Sequence, residues 1–240
     1  MSNGPKRKPS KQSRGKRRPP LTRERVLHAA LAIADDEGLD ALSMRRLGQA
    51  LRVEAMSLYN HVANKDEVLD GMVDMVVGEM EMPLLPDWRA ALRGRALSAH
   101  EVLLRHPWAA ALIESRLSPG PERLRHHDAL IGALLRAGFS LELTYRAFLT
   151  LDSYIYGFTL QEVNWPFDRD ERPDVVTNIE PHVTAEQYPN LVQMMGFILS
   201  AGRGDAAQPG GKAAAYLAEY AFGLDLVLDG LAAARARERQ

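Results

Sequence analysis

The chain has 240 residues, 46% of them apolar, with 30 Lys and Arg against 31 Asp and Glu, a formal net charge of −1. No run approaches the roughly 18 apolar residues that cross a bilayer, and the basic, polar start is no secretory signal. With no cysteine there is no disulfide framework, thiol nucleophile or zinc knuckle, which fits a cytoplasmic protein without a membrane partner. The neutral total hides a split. Residues 1–23 carry nine basic side chains (Lys6, Arg7, Lys8, Lys11, Arg14, Lys16, Arg17, Arg18 and Arg23) and no acid, which leaves 21 basic against 31 acidic side chains in the rest. A basic arm on an acidic body points to an interaction tail.

Residues 1–20 are rich in Lys, Arg, Pro, Ser and Gly and have almost nothing to bury, so a disordered basic arm is expected there. Helical patterning follows. Thr22 is a plausible N-cap for a segment with Val26, Leu27, Ala30, Ile33 and Ala34 on one face, ended by Gly38. Ser43 caps a short second helix with Met44, Leu47, Ala50 and Leu51, Val53 marks a turn, and Glu54 to His61 forms a third. Asn64 with Glu67 three residues on reads as a capping box opening a longer helix, about 65–82, with apolar doublets every four residues. Pro83 and Pro86 then break the chain. Beyond them helices are predicted at about 87–105, 107–117, 121–137, 141–163, 184–200 and 212–237, with a long loop from Asn164 to Val183 and a Gly-rich linker from Gly202 to Gly211. No stretch alternates with period two. The fold class is all-α: an arm at 1–20, a three-helix unit at 21–82 and a larger helical body at 83–240.

The informative block is Ser43 to Lys65, SMRRLGQALRVEAMSLYNHVANK. Two short helices joined by a tight turn, with a third before them, make a helix-turn-helix. The first of the pair must pack through Leu47 and Leu51 so that the second stands proud and enters a major groove roughly 12 Å wide. Ala55, Met56 and Ser57 are small or unbranched and suit that approach. Tyr59, His61 and Lys65 are placed to donate to phosphate oxygens, and the helix start at Lys65 presents free N–H groups. Short amphipathic helices also occur in many helical proteins, and residues 21–65 hold six basic and six acidic side chains, so charge there decides nothing.

The string LTRERVLHAALAIADDEGLDALSMRRLGQALRVEAMSLYNHVANKDEVLDGM resembles the DNA-binding domain of the TetR family of bacterial repressors over about residues 22–82. Its most specific portion is LYNHVANKDEVL. Downstream, ALRGRALSAHEVLLRHPW and LLRAGFSLELTYRAFLTLDSYIYGFTLQE resemble the tetracycline-repressor-like ligand-binding class. The resemblance implies that Arg45 reaches a base or phosphate and that Ala55, Met56 and Ser57 meet base edges. It places Tyr59, His61 and Lys65 on phosphates, while Asn60 replaces a frequently aromatic residue and reads or flanks the groove. Readout would rest on thymine methyls and on Arg45 against a guanine. The resemblance also implies a homodimer whose Leu141–Val163 and Lys212–Arg237 helices pair with their mates in a four-helix bundle, placing two reading heads roughly 34 Å apart on a palindromic double-stranded DNA operator.

His100, Trp108, Ile113, Phe148, Tyr154, Tyr156, Phe158 and Trp165 fall in the central helices and are candidates to line an apolar pocket, with plain core as the alternative for each. The family's magnesium-binding histidine falls on Ile113, so a drug–magnesium complex is not the expected effector. An enzyme is not expected: adjacent His126, His127 and Asp128 diverge on a helix, His100 and His106 lack i, i+4 spacing, and no nucleotide loop or nucleophile motif occurs. Neither metal nor cofactor is expected. The sequence thus describes a DNA-binding repressor released by a small, largely apolar molecule, with an activator or an arm-driven, non-specific DNA binder as alternatives.

Overall fold

The computed structural model describes residues 20–83, 85–116, 118–164, 183–205 and 211–239, with the backbone alone at 198–205 and 211–215. Residues 1–19 of the predicted arm, the 165–182 part of the predicted loop and residues 206–210 lie outside the described residues. Ten α-helices and one 3-10 turn occur among those described, and no strand. None of these helices is long and apolar enough to cross a membrane.

The first four helices form a small unit. Helix α1, Arg23–Glu37, starts where the Thr22 hydroxyl accepts from the Arg25 N–H and ends at Gly38, whose φ of 85° no branched residue would hold cheaply. After a 3-10 turn at Leu39–Ala41, Ser43 caps α2, Met44–Leu51, by accepting from the Arg46 N–H. Helix α3 is only Ala55–Leu58, shorter than the segment expected to reach His61. Its extension fails because the His61 N–H turns back onto the Leu58 carbonyl, an i to i+3 bond that tightens the chain into a turn. Val26, Leu27, Ala30 and Ile33 of α1 close over Leu47, Leu58 and Val62.

Helix α4, Lys65–Glu79, starts from a variant of the expected box: the Glu67 N–H donates to Asn64 Oδ1, while Glu67 Oε2 accepts from the N–H of Ala63, one residue before the cap. It belongs to two cores. Val68 and Met72 complete the small unit, whereas Val73, Val76 and Val77 enter a larger cluster built by the later helices.

That cluster gathers α5, Trp88–Arg105; α6, Ala109–Ser115; α7, Pro121–Arg136; α8, Leu141–Val163; and α10, Gly211–Glu238. Helix α7 stops at Gly138, φ 83°, after which Phe139 turns inward and meets Trp88 edge-on at 4.9 Å. Helix α9, Pro189–Asp205, begins five residues later than expected and continues through Gly202 and Gly204. The Gln187 and Tyr188 N–H groups bond back to Thr184, which makes a turn there, and Pro189 suits a first helical position because it has no N–H to satisfy.

Helix α10 is apolar on two sides. Tyr220, Leu224, Leu228 and Leu231 are buried in the cluster, while Leu217, Phe222 and Leu226 face outward, Phe222 with 67% of its surface exposed. Helix α8 repeats this, burying Leu143, Ala147, Leu151 and Ile155 and exposing Leu141, Tyr145 and Leu149.

Candidate functional site

The reading segment is assembled by close backbone approach. Helix α2 ends at Arg52, the one non-glycine described residue with positive φ (56°), and the Val53 N–H returns to the Gly48 carbonyl. A Cβ on Gly48 would stand 2.9 Å from Val53 O and 3.2 Å from Ala55 N, so only glycine lets α2 and α3 cross this tightly. Leu47 and Leu58 are buried beneath the crossing, and with α3 pinned from below its opposite side points out: Met56 is 75% exposed, and Tyr59 and Asn60 are exposed as well. Ala55, Ser57 and His61 are half-buried around this ridge, and Lys65 is exposed at the start of α4.

The two arginines at the start of α2 diverge. The Arg46 Nε donates to Glu37 Oε2 at 3.1 Å, and this bond holds the Glu37 carboxyl below its usual range. Arg45 is exposed and has no ion-pair partner among the described residues, so its charge is available to a ligand. Arg45, Ala55, Met56, Ser57, Tyr59, Asn60, His61 and Lys65 thus lie within one turn–helix–turn segment and the helix starts flanking it.

The structure separates the predicted pocket residues into three groups. His100, Tyr154 and Phe158 converge on Tyr220: the imidazole stacks on its ring at 4.1 Å, and the Tyr154 hydroxyl donates to the Tyr220 carbonyl at 2.6 Å. The Tyr220 hydroxyl in turn donates to the Ala96 carbonyl at 2.9 Å, and burial pushes this phenol's pKa well above its usual value. His100 Nε2 meets Glu162 Oε2 at 2.7 Å with both side chains buried. This is paired core, although His100 and Glu162 also edge a separate cavity of about 610 Å³ beside Tyr216 and Leu217.

Trp108 and Ile113 form the second group. The Trp108 indole N–H donates to Asp35 Oδ1 of α1 at 2.7 Å, and His106 Nδ1 shares that oxygen at 2.8 Å. Trp108 packs against both hydrophobic clusters, so it joins the small unit to the body rather than lining a cavity. Ile113 is 1% exposed within the larger cluster. Trp165 lies outside the described residues.

Phe148 and Tyr156 are the third group. They line a cavity of about 370 Å³ between α7 and α8 together with Glu114, Arg123, His127 and Asp152. Phe148 and His127, in edge-on contact at 5.0 Å, also border an adjoining apolar groove of about 610 Å³ with Ile131, Leu141 and Tyr145. Desolvation lowers the pKa of both His126 and His127, favouring neutral rings. Beneath lies a buried pair, Arg95 Nη2 to Asp152 Oδ1 at 2.8 Å. Burial opposes the Arg95 charge most strongly, but the Asp152 carboxylate and the Tyr156 and Tyr220 phenols together outweigh it and the pKa stays raised. A cavity bordered by Glu114, Arg123, His127, Asp152, Ser153 and Tyr156 and continued by an apolar groove suits a molecule with a hydrogen-bonding end and an apolar body. Sequence reasoning passed over Arg123 and Asp152 and weighed His127 only as a metal ligand. The available signal was spacing: Arg123 and His127 on α7, and Phe148, Asp152 and Tyr156 on α8, recur every four residues and so share a face.

Residues 26–72 match the family model for bacterial regulatory proteins of the tetR family, and residues 82–235 match the tetracyclin repressor-like C-terminal domain. Over 232 residues the chain is 33% identical to the HTH-type transcriptional repressor DrrR1 of Streptomyces coeruleorubidus, covering 95% of this chain and 83% of that protein. An HTH-type transcriptional regulator of Saccharopolyspora erythraea is 39% identical over 160 residues, 66% of this chain and 67% of its own. Among solved structures, Streptomyces coelicolor ActR in complex with actinorhodin superposes with a TM-score of 0.71 at 28% identity, covering 90% of this chain and 99% of that one.

Proposed function

The chain belongs to the TetR family of bacterial transcriptional regulators, a family of regulators rather than enzymes, and on that footing we propose that it is a homodimeric repressor released from a palindromic operator by a small, largely apolar effector. The observation that carries the reading is the α3 ridge. Leu58 beneath it is fully buried while Met56 and Tyr59 stand exposed, with Arg45 and Lys65 at the flanking helix starts. Met56 and Ala55 read thymine methyls, Ser57 and Asn60 border the groove, and Arg45 reaches a guanine or a phosphate. Tyr59, His61 and Lys65 hold phosphates and set the register.

The outward rows of α8 and α10 support pairing. Leu217, Phe222 and Leu226 on α10 are exposed apolar side chains, and so are Leu141, Tyr145 and Leu149 on α8, which also border the groove and cavity against α7. Joined about a two-fold axis they make the four-helix bundle that spaces two reading heads. The effector enters between α7 and α8, where Arg123, His127 and Asp152 orient an otherwise apolar guest. A guest that prefers one head spacing shifts the equilibrium between operator-binding and free forms.

Fluorescence anisotropy on the DNA upstream of the protein's own coding region tests this directly. The protein is expected to bind one palindrome as a dimer in the presence of excess competitor DNA. Tyr59→Phe and Lys65→Ala should weaken all sequences about equally, whereas replacing Met56 should change which sequence wins. Failure to select any palindrome would remove the repressor reading.

A further inference from the structure

Helix α4 carries Asp66, Asp70, Asp74 and Gly78 at four-residue intervals, and therefore on one face. That face meets the connection between α6 and α7. The Arg116 guanidinium reaches Asp66 Oδ1 at 2.9 Å and Asp70 Oδ1 at 2.5 Å, and a further N–H donates to the Asp66 carbonyl. One turn along, Asp74 Oδ1 accepts from the main-chain N–H groups of Glu122 and Arg123 at 2.9 and 3.0 Å. Helix α7 starts at Gly120-Pro121 with no capping side chain of its own, so a residue of α4 supplies its N-cap. The approach requires glycine at 120: a Cβ there would stand 2.2 Å from Asp74 Cγ. At the last step of the face, a Cβ on Gly78 would lie 3.1 Å from Glu122 Cγ.

The same short segment reaches the cavity. Arg123 lines it, and its guanidinium donates to the Arg116 carbonyl at 3.2 Å. Cavity, Arg123, Arg116 and the carboxylate row of α4 are thus joined in succession, and α4 begins at Lys65, beside the reading segment. We propose that Arg116 and Asp74 are the positioning residues of the regulator: they hold α4 in its operator-binding position while the cavity is empty, and an occupant that displaces Arg123 loosens them. This rests on the repressor reading above and assigns it specific side chains.

A disulfide can fix the junction. The chain has no cysteine, and a Cβ on Gly78 would stand 3.7 Å from the Glu122 Cβ, within disulfide range. The protein carrying Gly78→Cys and Glu122→Cys is compared oxidised and reduced, with and without His127→Trp, which adds bulk in the cavity one helical turn from Arg123. The readout is operator affinity by anisotropy, with folding checked by thermal melting. If His127→Trp does not fold, Phe148→Trp on the facing helix takes its place. Expected are near wild-type affinity for the oxidised pair, a loss of about ten-fold for His127→Trp when reduced, and recovery to within about two-fold on oxidation. Arg116→Ala should also lose about ten-fold, and adding His127→Trp to it should cost little more, because both act through one junction. The proposal falls if oxidation alone abolishes operator binding, if it leaves the His127→Trp loss unchanged, if the two losses multiply, or if neither substitution matters. Absence of palindrome selection by the unaltered protein is a different result, read before any variant, and overturns the repressor reading itself.

Discussion

Replacing Asp152 by alanine is expected to be among the costliest single changes in the body, and for an electrostatic reason. Asp152 faces Arg95 at 2.8 Å, with the two side chains 14% and 5% exposed. Arg95 sits on α5, enclosed by α8 and by Tyr156 and Tyr220, so removing the carboxylate leaves a buried guanidinium without its counter-charge. Breaking one side of such a pair costs about 3–5 kcal/mol, more than the net worth of the pair, because the orphaned ion keeps its desolvation penalty. A urea m-value of about 2–3 kcal/mol/M turns that into a midpoint lowered by about 1–2.5 M, measured at one fixed protein concentration because subunit pairing contributes to stability. Asp152→Asn should fall between, since an amide oxygen still accepts from Nη2. The double replacement Arg95→Met with Asp152→Leu removes both charges and should recover most of the loss. A midpoint drop under about 0.3 M for Asp152→Ala, or a double variant as unstable as the single, would refute the reasoning.

Other outcomes follow from the same geometry. Burial lowers the pKa of His126 and His127 from 6.5, so their share of stability is fully present above that value and is lost as the pH falls towards the folded value. Urea midpoints at pH 7.5 and 5.5 should differ less in the variant His127→Gln than in the wild type. Phe222→Glu on the outward side of α10 should give a monomer by sedimentation that retains helical circular dichroism but no longer selects a palindrome. Removing residues 1–19 should flatten the salt dependence of DNA binding, by about 0.9 in log–log slope for each phosphate that the arm neutralises, without changing which sequence is preferred.

Much of the small unit was legible because its determinants are local. Thr22, Ser43 and the Asn64/Glu67 box announce their helices within four residues, and the structure uses all three as caps. The helix-turn-helix was legible for the same reason, aided by a family string of a dozen residues. The cavity was not. Choosing pocket residues by aromatic type gathered His100, Tyr154 and Phe158, but Tyr220, which seals them, is 120 residues beyond His100. Type says that a ring will be sheltered, not by what. Trp108 failed as a pocket residue because its indole N–H needed a partner, and the nearest acceptor, Asp35, belongs to another unit. Asp74 is the same lesson at a cap: Gly120 leaves α7 without one, and nothing within several residues shows where it comes from.

The dual membership of α4 bears on modular exchange. Val68 and Met72 belong to one core and Val73, Val76 and Val77 to the other, but Leu69 packs against both and Met75 against the first, so the two memberships overlap in mid-helix. Pro83 looks like the natural place to cut a chimera, yet a foreign head spliced there would bring its own residues into the body's core. A graft that keeps both packings follows faces instead, taking the donor's residues at 68, 72 and 75 and this chain's at 73, 76 and 77, with a side chain at 69 that serves both cores. Even then Asp66 and Asp70 must be retained to meet Arg116. Transferable specificity here is a matter of helix faces, not of segments.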